Sequence, residues 1–168
     1  HRNHTLSVYR LIPAHNPVPL AVKIRTVNGG RTARRHKGHP DAIAFAVGEN
    51  IGTAPGRVVR QEPLYELIQF SPSTEQVHAT PIVIFPPWIN KFYIMDLKPA
   101  NSLIKWIVDQ GFTLFVVSWV NPDASYSGTT MDDYIRDGFL RAMAEVRRIT
   151  GEKQINATGY CIAGTTLG

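Results

Sequence analysis

After residue 41, apolar residues follow two patterns: continuous runs, which are typical of buried strands, and helical spacing, which is typical of amphipathic helices. Continuous apolar runs at 78–85 (HATPIVIF) and 112–119 (FTLFVVSW) are typical of strands that are covered on both faces. Shorter strands are predicted at 58–60, 64–70 and 154–158. Strands alternating with helical segments over short connections favour an α/β fold with a mostly parallel sheet.

Two helices are predicted between these strands. The first covers 101–110 and ends at Gly111, and its proposed apolar face consists of Leu103, Ile104, Ile107 and Val108. The second covers 131–150, begins with a capping-box pattern from Thr130 to Asp133 and ends at Gly151. Its apolar stripe consists of Ile135, Phe139, Ala142, Val146 and Ile149.

The only cysteine, Cys161, follows the last predicted strand, and a helix is expected to begin at Ile162. A nucleophile between a strand and a helix is the arrangement of the nucleophile elbow, whose sharp turn requires small neighbours. Gly159 and Ala163 meet that need, and Gly164 adds a further small residue. The helix that follows would direct N–H groups at the thiol and favour the thiolate. A buried packing role is the alternative, because free cysteines are often buried.

Charge divides the 168-residue chain into two parts. Residues 1–40 contain eight Lys or Arg, five His and no acid, whereas 41–168 contain ten Lys or Arg and thirteen Asp or Glu. The first part is interpreted as a basic, disordered or non-native segment, including one from a misread frame. An arm that binds nucleic acid and the remnant of a targeting peptide also fit its basic composition. The second part is interpreted as the catalytic domain.

A single cysteine excludes an internal disulfide, and the sequence has no Cys/His spacing typical of a metal site. No apolar run approaches the roughly 20 residues of a membrane span, which predicts a cytoplasmic protein.

Residues 41–168 resemble the class I polyhydroxyalkanoate synthases, which polymerise 3-hydroxyacyl-coenzyme A thioesters. The resemblance rests on blocks that occur in the family's order: FAVGENIGTAPGRVV, YELIQFSPSTEQV, PPWINKFYIMDLKP, SWVNPDAS, MDDYI and GYCIAGT. It implies the first half of an α/β-hydrolase sheet, ending at the elbow, with Cys161 as the nucleophile. It also implies a coenzyme A thioester substrate, no cofactor, a growing polyester chain, a homodimer in the full-length enzyme and a cytoplasmic location at granules. No nucleic acid is expected as a partner.

The family's catalytic Asp and His are expected downstream of the nucleophile. All six histidines precede Cys161, and no Asp or Glu follows it. The chain is therefore interpreted as a partial synthase that is inactive alone. His78 is predicted to be a strand residue rather than a base.

The remaining site residues follow from the elbow and from the family resemblance. The backbone N–H groups of Ile162 and of Trp88 or Ile89 are the predicted oxyanion-hole donors. The loop residues Asn90, Lys91, Tyr93 and Asp96 are interpreted as supporting the acyl entrance, or else as fixing the loop's own hydrogen bonds. Three residues depart from the family pattern, namely Trp88, Val120 and Ala163.

Two different functions remain open. An esterase or thioesterase would share the elbow but release free acid, and a catalytically inert remnant would bind a granule surface or another partner. Substitution of Cys161 by alanine separates an enzyme from a binding module.

Overall fold

The computed structural model describes residues 11–13 and 47–168, with side chains described for 47–168 only. The strands are β1 Leu11–Pro13, β2 Gly56–Gln61, β3 Tyr65–Phe70, β4 Gln76–Phe85, β5 Asp96–Lys98, β6 Asn101–Ser102, β7 Phe112–Trp119 and β8 Asn156–Gly159. The α-helices are α1 Leu103–Asp109, α2 Met131–Asp133, α3 Arg141–Thr150 and α4 Ile162–Leu167, and a π-helical segment, Tyr134–Leu140, joins α2 to α3. We call the continuous run 131–150 the long helix.

The main sheet is built around β4 and β7. From one edge the order is β2, β3, β7 and β4, and the outer side of β4 is shared by β1 near its start and β8 near its end. β4 runs parallel to β7 and β8, whereas β3 is antiparallel to both β2 and β7, and β1 is antiparallel to β4. The sheet is thus mixed, and the expectation of a mostly parallel sheet was wrong. The short link between β2 and β3 explains part of the difference, because a tight connection joins antiparallel strands.

Each face of the sheet is covered by helices that connect its parallel strands. The long helix packs on one face, where Phe139, Ala142 and Val146 join Phe85, Phe115 and Val117 in one core cluster. On the other face, Ile104, Ile107 and Val108 of α1 pack on Ile84, Leu114 and Val116. Alternate residues of β4 and β7 therefore enter opposite cores, as their near-continuous apolar sequences predict.

The strands predicted at 58–60, 64–70, 78–85 and 112–119 are confirmed with small shifts of their ends. The last strand is displaced by about two residues, to Asn156–Gly159. The capping box at Thr130 and Asp133 is present, and Gly111 and Gly151 end their helices with φ of 79° and 71°.

The first helix differs from its prediction. It begins at Leu103, because residues 101–102 instead form β6, which pairs with β5. Leu103 is 48% exposed and does not belong to the buried face. The interpretation of residues 1–40 lies outside the described residues except at Leu11–Pro13, which pair with Gln76–His78.

Candidate active site

The backbone at Cys161 has the conformation of a strained turn. Its φ of 57° and ψ of −129° make it the only non-glycine residue with positive φ in the described part of the chain. Such a conformation costs on the order of 1–3 kcal/mol and persists only when its surroundings impose it. The turn leaves the thiol exposed between β8 and α4. The predicted elbow geometry and the start of the helix at Ile162 are therefore present.

The backbone on the two sides of the turn packs closely together. A Cβ atom added to Gly159 would lie 2.6 Å from the carbonyl carbon of Ala163 and 2.6 Å from the Cα of Gly164. A Cβ on Gly164 would lie 3.1 Å from the Gly159 oxygen. Ala163 is fully buried in the core beneath the long helix, so its small side chain serves packing. The close approach therefore requires glycine at 159 and favours it at 164, and the need for a small residue at 163 stays a prediction.

Pairing between β8 and β4 brings this turn beside the loop that follows β4. Gly159 is the partner of Phe85, and the Tyr160 N–H donates a 3.0 Å hydrogen bond to the Phe85 oxygen. The segment after β4 and the segment after β8 then leave the sheet at the same edge. The predicted oxyanion donors, Ile162 and Trp88 or Ile89, therefore follow neighbouring strand ends. As the first residue of α4, Ile162 has an N–H with no acceptor within its own helix.

Aromatic contacts hold the loop after β4. The Trp119 indole N–H donates a 2.6 Å hydrogen bond to the Pro86 oxygen, and the Trp88 ring stacks on Tyr134 with centroids 4.8 Å apart. Tyr134 begins the π-helical segment, which also contains Gly138. A Cβ on Gly138 would lie 2.8 Å from the Trp119 ring, so the glycine makes room for that ring.

Asp96 fixes the far end of the same loop. Its Oδ2 accepts a 2.7 Å hydrogen bond from the Ala54 N–H, and its backbone oxygen accepts one of 2.7 Å from the Gly52 N–H. The side chain is 1% exposed, and Oδ1 has no hydrogen-bond partner within 47–168. These contacts favour the loop-fixing interpretation of Asp96 over a role at the acyl entrance.

The remaining predicted entrance residues separate into two groups. Asn90 is exposed, and its N–H donates to the Pro87 oxygen in a turn. Lys91 and Tyr93 are half-buried and line a cavity on the α1 face of the sheet. Burial lowers the pKa of Lys91 from its ordinary value. An entrance role stays a prediction for these residues.

His78 lies far from the thiol. It pairs with Phe112 at the start of β4, whereas Gly159 pairs with Phe85 at the end of that strand. Seven residues at roughly 3.3 Å each separate these positions by about 23 Å. His78 stacks on Phe112 with centroids 4.5 Å apart and is too distant to act as a base for Cys161. The five histidines of residues 1–40 lie outside the described residues.

Sequence reasoning missed three residues around this site. Gly138 had a usable signal, because a glycine inside a helical pattern often marks close packing. Trp119 ended a predicted strand, but its hydrogen bond to Pro86 depends on the register between β4 and β7. Glu66 on β3 is 8% exposed and lines the same cavity as Lys91 and Tyr93. Nothing in its local sequence distinguishes it from a surface carboxylate.

Exposed apolar side chains occur on both sides of Cys161 in the sequence and in the loop after β4. Ile89, Tyr160 and Ile162 are 74%, 52% and 37% exposed. Within the described ranges, 11–13 and 47–168, no three His, Cys, Asp or Glu side chains are grouped closely enough to hold a metal ion. The helices of those same ranges are too short or too polar to cross a bilayer.

Comparison with known proteins identifies the chain's relatives. A sequence model described as "Poly-beta-hydroxybutyrate polymerase (PhaC) N-terminus" matches residues 27–107. The poly(3-hydroxyalkanoate) polymerase subunit PhaC of Rhizobium meliloti (strain 1021) is 47% identical over 127 residues, which cover 76% of this chain and 21% of the relative. This chain belongs to the polyhydroxyalkanoate polymerase family. The corresponding subunit of Cupriavidus necator is also 47% identical over 127 residues, covering 76% of this chain and 22% of that protein.

The match to the family is limited in two ways, namely in the share of the relatives' length that it covers and in the residue at which it begins. The chain spans about a fifth of the length of the curated relatives it matches. The family match begins at residue 27, within the basic segment 1–40. Poly(3-hydroxyalkanoate) polymerase 2 of Ectopseudomonas oleovorans aligns over 163 residues, 89% of this chain and 29% of its own length, at 36% identity. A separate origin for residues 1–40 stays a prediction.

Proposed function

We propose that this chain is the nucleophile-bearing part of an α/β-hydrolase-fold polyhydroxyalkanoate synthase and that Cys161 carries the acyl group. The observation that carries the proposal is the strained turn at Cys161, which exposes a thiol between a parallel strand and a helix. The strand order β2, β3, β7, β4, β8 with β3 antiparallel supports the hydrolase fold. The names of the relatives support the reaction.

In the proposed reaction, the Cys161 thiolate attacks the carbonyl carbon of a 3-hydroxyacyl-coenzyme A thioester. The N–H groups of Ile162 and of Trp88 or Ile89 donate hydrogen bonds to the oxyanion that forms. The carbon–sulfur bond to coenzyme A then breaks, and its thiolate takes up a proton. The acyl-cysteine remains a thioester, so it stays activated toward a hydroxyl group. Attack by that hydroxyl forms an ester and returns the cysteine.

The exposed apolar side chains of Ile89, Tyr160 and Ile162 suit the aliphatic part of such an acyl group. A base is needed for turnover, and the described residues place no histidine near Cys161. We therefore expect the 168-residue chain to accept an acyl group slowly and not to polymerise steadily. A homodimer, a cytoplasmic location and a granule surface belong to the proposal for the full-length enzyme, together with the absence of a cofactor.

The test follows the fate of the acyl group. The chain is incubated with 3-hydroxybutyryl-coenzyme A, and coenzyme A release, chain mass and free 3-hydroxybutyrate are recorded. We expect one acyl group per chain and no acylation in Cys161→Ala, because the acyl group is carried by the thiol of Cys161. Steady release of free acid would instead identify a thioesterase. A chain that is never acylated would fit an inert binding remnant.

A further inference from the structure

The loop after β4 begins with two prolines, and these determine where its first backbone donor lies. Pro86 and Pro87 carry no N–H group. The first donor after the strand is therefore the N–H of Trp88, and the second is that of Ile89. Neither group makes a hydrogen bond within 47–168. Both predicted oxyanion donors of this loop are thus available to a ligand oxygen.

The direction of the Trp88 N–H depends on the carbonyl of Pro86. Peptide bonds are planar, and all of those in the described residues are trans. The proline ring also fixes φ of Pro87 near about −65°. Between the Pro86 carbonyl and the Trp88 N–H, the only soft torsion left is ψ of Pro87. A group that holds this carbonyl therefore restricts the direction of the donor.

Trp119 holds the carbonyl of Pro86. Its indole N–H donates a buried hydrogen bond of 2.6 Å to the Pro86 oxygen. Trp119 ends β7, which runs parallel to β4, so the bond joins two neighbouring strand ends. Pro86 is buried and Trp119 is 6% exposed. Loss of the indole N–H would therefore leave a buried oxygen without its donor, which is costly.

The remaining torsion, ψ of Pro87, is restricted from two sides. The Asn90 N–H donates a 3.0 Å hydrogen bond to the Pro87 oxygen, which lies in the same peptide plane as the Trp88 N–H. The Trp88 ring stacks on Tyr134, and it also meets the Trp119 ring edge-on at 6.4 Å between centroids. Trp119 thus contacts this loop both at the carbonyl before the donor and at the side chain of the donor residue.

The anchored carbonyl lies next to the strand pair that leads to the thiol. Gly159 pairs with Phe85, and the Tyr160 N–H donates to the Phe85 oxygen. Pro86 and Cys161 directly follow Phe85 and Tyr160 in the chain. An oxyanion donor is effective when its direction is fixed before the reaction, because no reorganisation is then needed as the charge develops.

We propose that Trp119 is a positioning residue for acyl transfer, whose indole N–H fixes the Pro86 carbonyl and thereby the direction of the Trp88 N–H. This inference rests on the proposed function, which makes that N–H a candidate oxyanion donor. A packing role is the alternative, since Trp119 belongs to a core cluster with Phe85 and Phe139. Packing requires the ring, whereas positioning requires the N–H.

The first arm of the test compares two reactions of the same thiol in Trp119→Phe, which keeps an aromatic ring but removes the N–H. Acylation by 3-hydroxybutyryl-coenzyme A passes through an oxyanion, whereas alkylation by iodoacetamide displaces iodide and forms none. We expect the ratio of the acylation rate to the alkylation rate to fall about tenfold. Trp106→Phe is the matched control, because Trp106 is 59% exposed on α1, and its ratio should be unchanged. An unchanged ratio in folded Trp119→Phe would overturn the proposal.

The second arm uses NMR and needs no acyl transfer. In the unmodified chain, the indole N–H of Trp119 should exchange with D₂O far more slowly than that of Trp106. Equal exchange would overturn the proposal, and this measurement decides even if Trp119→Phe does not fold. In Trp119→Phe, the backbone order parameters of Trp88 and Ile89 should fall from about 0.85 toward 0.6. Unchanged values would overturn the positioning role.

The two arms separate this inference from the proposed function. An unmodified chain that is alkylated at Cys161 but never acylated would contradict the proposed acyl transfer. The order parameters of Trp88 and Ile89 would then still decide whether the Trp119 indole positions the loop.

Discussion

The turn at Cys161 and the loop 86–96 leave the same edge of the sheet, yet different forces hold them. Glycine backbones in direct contact hold the turn, and the residues involved lie within six positions of each other. Contacts from distant parts of the chain hold the loop, including the Trp119 indole at Pro86 and the Ala54 N–H at Asp96. The comparison shows that a reactive group can be set by local sterics while its surroundings depend on the whole fold.

The largest loss of stability is expected from a substitution that disrupts the turn at Cys161. Gly159→Ala places a methyl group against the backbone of Ala163 and Gly164, which cannot move without displacing α4. We expect the free energy of unfolding to fall by about 3 kcal/mol or more. Urea denaturation followed by circular dichroism measures it. Gly128→Ala is the matched control, since nothing lies within 4 Å of its added Cβ, and it should change stability by less than about 0.5 kcal/mol. Equal effects of the two variants would contradict the steric account.

The next effect concerns the aromatic support of the loop. Gly138→Ala gains up to about 1 kcal/mol of helix propensity but forces a methyl group to 2.8 Å from the Trp119 ring. We expect the cost of the clash to exceed the gain in helix propensity, with a net loss of about 2 kcal/mol in unfolding free energy. In a Trp119→Leu background the same substitution should be neutral or stabilising. A double-mutant cycle without coupling between the two sites would contradict this contact.

Asp96 tests the far end of the loop. Asp96→Asn keeps an oxygen acceptor for the Ala54 N–H but removes the charge that strengthens the hydrogen bond. We expect a loss of about 1 kcal/mol in unfolding free energy. The exposed Asp132→Asn serves as the control and should have little effect. If Asp96→Asn does not destabilise the protein, the carboxylate is not what holds residues 52–54 to this loop.

The smallest effect belongs to Glu66 and depends on pH. Burial raises the pKa of Glu66 in the folded state, so folding is favoured when the carboxyl is protonated and that advantage is lost as the pH rises through the folded pKa. Glu66→Gln should therefore be more stable than the parent chain at pH 7, by less than about 1 kcal/mol. The difference should vanish near pH 4, below the pKa of roughly 4.3 in the unfolded chain. A difference that does not change with pH would show that the charge is not responsible.

The contrast also explains what sequence alone predicts. The strands at 64–70, 78–85 and 112–119 follow from their apolar runs, and the elbow follows from a small-residue pattern between a strand and a helix. These are local properties. The mixed strand directions, the exposure of Leu103 and the cavity beside Glu66 depend on which segments meet in space. Asp96 lies between these cases, because its position in the loop was evident but its partner at Ala54 was not.

Locating the acyl group after incubation with 3-hydroxybutyryl-coenzyme A tests the central claim most directly. The chain is digested at a pH that preserves thioesters, and the peptides are identified by mass. The account predicts one 3-hydroxybutyryl group on the peptide that contains Cys161, and none elsewhere. An acyl group on lysine side chains instead, or an unmodified Cys161 in a folded chain, would contradict the assignment of Cys161 as the nucleophile.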